Sequence, residues 1–232
     1  MGIFYALGKL NGLDFWNERN DQHALSRIEF HQMDRVEHLS PHRALLIVSN
    51  HWKHQGEIQM TDRTEMTFSV DDSTRVIDYR ITLIASHGDV LIDDSKEGAM
   101  GLRTSDRFRT KDPGAQGARA YNNEGNNEAN LWGKPARWVS YSTEMGGETL
   151  SITFFDHPNN LRYPTTWHAR DYGLVAANPF GLAKFLPDQN LSGETLLTAG
   201  KTLTFSYRLI FHRGSSSDID INGLHAAWIA EP

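Results

Sequence analysis

Two short stretches concentrate side chains able to do chemistry. In "PTTWHARDYG", Pro164 to Gly173, a Trp, a His, an Arg, an Asp and a Tyr fall within Trp167 to Tyr172. An extended chain sends alternate side chains to opposite faces, so His168, Arg170 and Tyr172 share one face and Trp167, Ala169 and Asp171 the other. His exchanges a proton near neutral pH, Tyr donates to a developing oxyanion, and Arg holds a carboxylate or neighbouring hydroxyls. In "DDSKEGAMGLRT", Asp93 to Thr104, the same alternation sets Glu97, Ala99, Gly101 and Arg103 opposite Met100 and Leu102. Small residues between a carboxylate and a guanidinium leave room for a planar or sugar-like ligand, with Glu97 accepting and Arg103 donating. Each stretch also has a purely structural reading. Glu97 and Arg103 make a surface salt bridge worth little, and Arg170, Asp171 and Tyr172 make a polar network that locks a strand end.

Other candidates carry weaker spacing. Asp156 and His157 follow an apolar strand and precede a loop bounded by Pro158 and Pro164. His157 and His168 are the candidate metal ligands at one end of a sheet, without a recognised ligand spacing. His51 and His54 point to opposite faces of one strand, while His31, His38 and His42 lie in a polar connecting stretch and His87 in a turn. Trp132, Trp138 and Tyr141 offer aromatic faces of the kind that stack on sugar rings, and equally cap a sandwich core.

Strand signals dominate the elements that must position these residues. Alternating or β-branched runs include "RALLIVSNHWKH", "RVIDYRITLIAS", "AMGLRT", "TLSITFFDH", "YGLVAAN" and "TLTFSYRLIFHRG", separated by turn signals such as "GGE" at Gly146 to Glu148. The spacing predicts an all-β fold, an antiparallel β-sandwich. Helix signals are confined to "NPFGLAKFL", with Asn178 as cap and Pro179 in the first turn, and to "NGLHAAWIA". Thr104 to Leu131 is polar, rich in Gly and Asn, and long for a connection, which marks a functional loop or an insertion. No repeat or linker divides the chain, so residues 1–232 read as a single domain.

Composition narrows the partners. A formal charge of −6 argues against a nucleic-acid backbone and for a small-molecule or glycan ligand. With no Cys there are no disulfides, thiolate metal sites or Cys nucleophile. No apolar stretch nears the roughly 20 residues that span a bilayer, so no membrane partner is expected. "MGIFYALGKLNGLDFWNE" lacks the pattern of a signal peptide, and the compartment stays open.

Taken in order, "NGLDFW", "DSKEGAMGLR", "WGKPARWVSYS" and "FDHPNNLRYPTTWHARDYGLVAANPFG" resemble the PmoA-like family, bacterial β-domains named after a methane monooxygenase subunit. The resemblance implies a sandwich like that of the sugar mutarotases and a carbohydrate ligand. It also implies a chain lacking the family's N-terminal strands, since a "HHRG"-like motif usually precedes the segment matching "IFYALGKLNG"; family members include exported proteins. On this basis the chain is expected to be a carbohydrate-active enzyme of lyase, hydrolase or epimerase type. His168 would shuttle the proton with Tyr172 or Lys96 assisting, and Glu97 would be the carboxylate. Arg103 and Arg170 would clamp the substrate, with Asp171 and Asn178 as further contacts. Two alternatives stand beside it: a non-catalytic glycan-binding module stacking sugars on Trp132, Trp138 and Trp167, and a metal-dependent oxygenase as the family's name implies. The resemblance assigns no cofactor.

Overall fold

The computed structural model describes residues 2–17, 25–111, 117–188, 190–215 and 218–231. Its strands are β1 Gly2–Leu7, β2 Ser26–Ser40, β3 Arg43–His54, β4 Glu57–Val70, β5 Thr74–Ile84, β6 Val90–Ile92 and β7 Gly98–Arg103, followed by β8 Arg119–Asn122, β9 Trp138–Met145, β10 Glu148–Asp156, β11 Thr166–Trp167, β12 Leu174–Asn178, β13 Thr195–Leu197 and β14 Thr202–Arg213; the helices are α1 Leu182–Phe185 and α2 Ile221–Ile229. Every strand pairing is antiparallel. The strands form a large sheet in the order β2-β3-β4-β5-β14-β10-β9-β8, a small sheet β1-β7-β12-β11 and a β13-β6 ribbon. The expected all-β antiparallel sandwich is the fold.

Aromatic and aliphatic residues from the facing sides of both sheets make one core. Tyr5 and Leu7 of β1, Met100 and Leu102 of β7, and Val175 and Ala177 of β12 meet Trp52, Met60, Ile81, Phe154, Phe205 and Leu209 of the large sheet. Phe154 meets Trp167 edge-on with ring centroids 5.1 Å apart, the geometry that the charge distribution of aromatic rings favours. Outside the large sheet, α2 covers β10 and β14 with Ile221 and Trp228 against Phe155 and Ile210. Its first turn is capped by Asp220, whose side chain accepts from the Gly223 amide at 2.9 Å. No described helix is long and apolar enough to cross a membrane.

The turn at Gly146 and Gly147 is the tight hairpin read from "GGE", with Met145 opposite Glu148 and both glycines at positive φ, 66° and 82°. Three local expectations are corrected. Ser26–Ser40, read as a polar connection, is a 15-residue edge strand; Phe30, Met33 and Val36 are exposed on it, so it lacks the alternation that burial of one face imposes. Thr104 to Leu131 is not one loop, because Arg119–Asn122 pairs with β9 and short 3-10 turns flank it. Asn178 ends β12 rather than capping a helix; α1 starts at Leu182 after Gly181.

Candidate functional site

β7 lies between β1 and β12, and its register sets which side chains meet. Phe4 pairs with Gly101, Gly101 with Ala176, and Ala176 exchanges backbone hydrogen bonds with His168. Trp167 and Ala169 enter the core, so His168 points to the outer side of the small sheet. The next row is Gly2, Arg103, Leu174 and Arg170, the Arg170 amide donating to the Leu174 carbonyl at 2.8 Å. Glu97 stands just before β7 on the same side. Its backbone is fixed by Ser95, whose Oγ accepts from the Glu97 amide at 3.1 Å and whose carbonyl accepts from Asn178 Nδ2 at 2.9 Å.

The two stretches singled out in the sequence therefore converge. His168 Nδ1 lies 3.6 Å from Glu97 Oε2. That is longer than a hydrogen bond, and among the described residues both buried atoms have no hydrogen-bond partner. Lys96 Nζ stands 3.5 Å from the other Glu97 oxygen. The Arg103 and Arg170 guanidiniums sit 5.1 and 5.2 Å from the centroid of the Tyr172 ring, within cation–π range. Burial, with Arg170, Lys96 and Arg103 adding positive charge nearby, lowers the His168 pKa to about 4, partly offset by the Lys96 backbone. The imidazole is neutral at pH 7, which corrects the expectation that it titrates near neutrality as a proton shuttle.

Backbone bonds hold the turn that carries Tyr172. Thr104 and Thr110 amides donate to the Gly173 and Asp171 carbonyls, both at 2.9 Å, and the Tyr141 hydroxyl donates to the Arg170 carbonyl at 3.2 Å. Gly173 has φ +82°, and a Cβ there would lie 2.6 Å from Thr104 Oγ1, so this turn requires glycine. The alternation read from the sequence holds through Arg170, and Tyr172 reaches the same side from the turn rather than from a strand.

Several expectations do not survive the packing. The open floor expected at Gly101 is filled by the Phe4 ring, which a Cβ at Gly101 would approach to 2.5 Å. Trp167 is fully buried with Nε1 donating to the Ala136 carbonyl at 2.8 Å. Trp138 is buried beneath α2 with Nε1 donating to Asn222 at 3.1 Å. Neither presents a face for stacking. Asn178 is buried with both amide atoms occupied, Nδ2 by Ser95 and Oδ1 by the Phe180 amide, so it is a clamp rather than a ligand contact. Asp171 makes no ion pair with Arg170 or Arg103; its charge bears on the buried Tyr141 hydroxyl. His157 packs edge-on against Trp228 of α2, across the sandwich from His168, so the two do not form a joint metal site. Trp132 stays at the border, edge-on to Phe185, which in turn touches His168.

Sequence reasoning missed Trp16 as a site residue. It stacks over His168 at a centroid distance of 6.3 Å and meets Phe4 edge-on at 5.2 Å. Asp14 accepts the Trp16 and Asn17 amides at 2.7 and 3.1 Å, a local turn that sends Phe15 inward and Trp16 outward. "LDFWN", Leu13 to Asn17, carries that turn signal, but nothing in it tells which sheet the Trp will cover.

Fold and site together define an antiparallel β-sandwich with a polar cluster on the outer side of its small sheet. The chain belongs to a family of unknown function (DUF6807), whose model matches residues 1–226. This corrects the resemblance to the PmoA-like family, and the oxygenase expectation, which rested on that family's name, goes with it. No curated protein sequence matches the chain. Similar solved structures include a glycoside hydrolase family 97 enzyme from Pseudoalteromonas sp. strain K8, at 11% identity and TM-score 0.44, covering 81% of this chain and 28% of that one. A galactose mutarotase-like protein from Clostridium acetobutylicum is similar at 8% identity and TM-score 0.36, covering 90% of this chain and 78% of that one. Another, from Lactobacillus casei, has 11% identity and TM-score 0.35, with 77% and 72% covered. The chain thus spans little more than a quarter of the glycoside hydrolase.

Proposed function

We propose that this is a carbohydrate-active protein that binds a sugar on the outer side of the small sheet, with Glu97 and His168 as the pair that engages a sugar hydroxyl. The observation that carries this reading is the pairing of His168 Nδ1 with Glu97 Oε2: two buried polar atoms, 3.6 Å apart, neither with a hydrogen-bond partner among the described residues. Leaving such atoms unsatisfied costs about 1–3 kcal/mol each. A hydroxyl beside the pair, donor and acceptor at once, would bridge both atoms from one side once a small side-chain movement opens them to it. Trp16 and Phe4 supply apolar surface beside the pair, and Arg103, Arg170 and Tyr172 form a polar rim.

In the catalytic form of this reading, Glu97 takes the proton from the bound hydroxyl and returns it after reaction. His168 remains neutral and orients that hydroxyl, and Lys96 holds the second Glu97 oxygen. The low pKa of His168 favours a second reading, binding without turnover, because it takes one of the two facing groups out of acid–base use at neutral pH. A panel of monosaccharides and glycosides, assayed for turnover and for binding with wild type, Glu97→Gln and His168→Ala, separates the two. Loss of turnover in Glu97→Gln far beyond its roughly tenfold effect on binding supports catalysis; sugar binding with no turnover in any variant supports the module. Turnover and binding indifferent to both substitutions would remove the site altogether.

A further inference from the structure

The half-buried arginines of this fold are generally satisfied. Arg208 is paired with Asp78 and Glu231, and Arg162 donates to the Pro179 and Glu194 carbonyls and to Thr195 Oγ1. Arg170, which is half-buried, and its exposed neighbour Arg103 differ. Among the described residues neither has a carboxylate within ion-pair reach, and what each touches is the ring of Tyr172. Two like charges held about one ring repel each other, and the half-buried Arg170 lacks, among the described residues, the ion partner that a partly desolvated guanidinium needs. Lys96 adds a third positive charge on this side, and Glu97, which it faces, is the carboxylate nearest to it.

Register fixes where these charges stand relative to the Glu97–His168 pair. Arg103 and Arg170 flank Leu174 in the row next to the one that holds Gly101, Ala176 and His168. Adjacent same-face rows are two residues apart, about 6.6 Å along a strand, which is of the order of one sugar ring. A ligand with a hydroxyl at the Glu97–His168 pair therefore carries its far end to the two guanidiniums. Guanidinium is the group that binds carboxylate and phosphate through paired N–H donors.

We propose that the sugar is anionic, its carboxylate or phosphate held between Arg103 and Arg170 across Tyr172 while a hydroxyl bridges Glu97 and His168. This rests on the sugar reading above and adds the charge of the substrate. The anion would neutralise two positive charges that the protein itself leaves uncompensated.

The test is calorimetric titration of the full chain with D-glucuronate, D-glucose 6-phosphate, D-glucose and inorganic phosphate, on wild type, Arg103→Gln, Arg170→Gln, the double variant and Glu97→Gln. One of the two anions is expected to bind at least about tenfold more tightly than glucose, as charge-assisted bonds imply. The better anion tells carboxylate from phosphate. In the double variant the ratio of anion to glucose affinity should fall to about one, with each single variant between. Glucose binding equal to that of both anions, with a ratio unmoved by the double variant, overturns the anionic proposal. If glucose binding is then weakened by Glu97→Gln, the sugar reading stands without it. Absence of binding by all three sugars, or anion binding matched by inorganic phosphate, overturns both.

Discussion

His168 and His225 are both buried histidines that stand beside a carboxylate residue, and they differ in how those surroundings are completed. His225 Nε2 is hydrogen-bonded to the Asp156 carbonyl at 3.0 Å. The Asp156 carboxyl accepts Asn160 Nδ2 at 2.7 Å and the Thr165 amide at 2.8 Å. Asn160 in turn bonds the Ser206 backbone on both sides. The result is a strut that ties the loop after β10 to β14. Around His168 the groups are of the same kind, but among the described residues the two facing atoms have no hydrogen-bond partner and the neighbouring guanidiniums have no carboxylate partner. A closed polar network specifies architecture; an open one, held rigidly by backbone bonds, is what a ligand completes.

The comparison breaks most readily at Asp156. Asp156→Ala leaves buried donors of Asn160 and Thr165 without an acceptor and should cost about 3 kcal/mol, read as a lowered midpoint in urea. Burial raises the Asp156 pKa to about 7. Its protonated form is therefore favoured in the folded chain, and the stability this gives is full below about pH 3.8 and lost as pH rises through 7. Asp156→Asn should flatten that loss between about pH 3.8 and 7.

His168 titrates in the opposite sense. Its pKa falls from 6.5 in the unfolded chain to about 4 in the folded one, so the unfolded chain takes up the proton first. Its contribution is full above pH 6.5 and is lost as pH falls to about 4, by about 3 kcal/mol. The denaturation midpoint of His168→Gln should therefore fall less over that interval than that of wild type. Equal slopes for the two proteins would mean that the imidazole is hydrated and the pair is not buried as described.

Smaller effects sharpen the contrast. Glu97→Gln should change stability by about 1 kcal/mol or less, since its ion pair with Lys96 is a partly exposed one, yet weaken sugar binding about tenfold by removing a charged acceptor. Trp16→Ala should weaken binding only a few-fold, as expected for one half-buried aromatic contact, and its fluorescence should report sugar addition in wild type.

The sequence made part of this legible for a definite reason. Where a strand is packed on one side, alternation names the faces, and Glu97, Arg103, His168 and Arg170 all lie on the side that alternation assigns them. It cannot tell whether an aromatic beside them is a platform or a core residue: Trp167 follows the same rule and is sealed in the interior. Residues 26–40 were unreadable because that edge strand is exposed over most of its length, leaving no periodic pattern. Trp16 was unreadable because its partner on the sheet, His168, is remote in sequence, and only the fold brings the two together. The unpaired state of Arg103 and Arg170 is likewise a property of three-dimensional surroundings rather than of residue type.

The most direct test of the account is NMR of the histidine ring nitrogens during titration with D-glucuronate. The account predicts a saturable shift of the His168 Nδ1 resonance while the His225 ring stays unchanged. A His168 ring that does not respond at saturating sugar, or a response shared equally by His225, would contradict it.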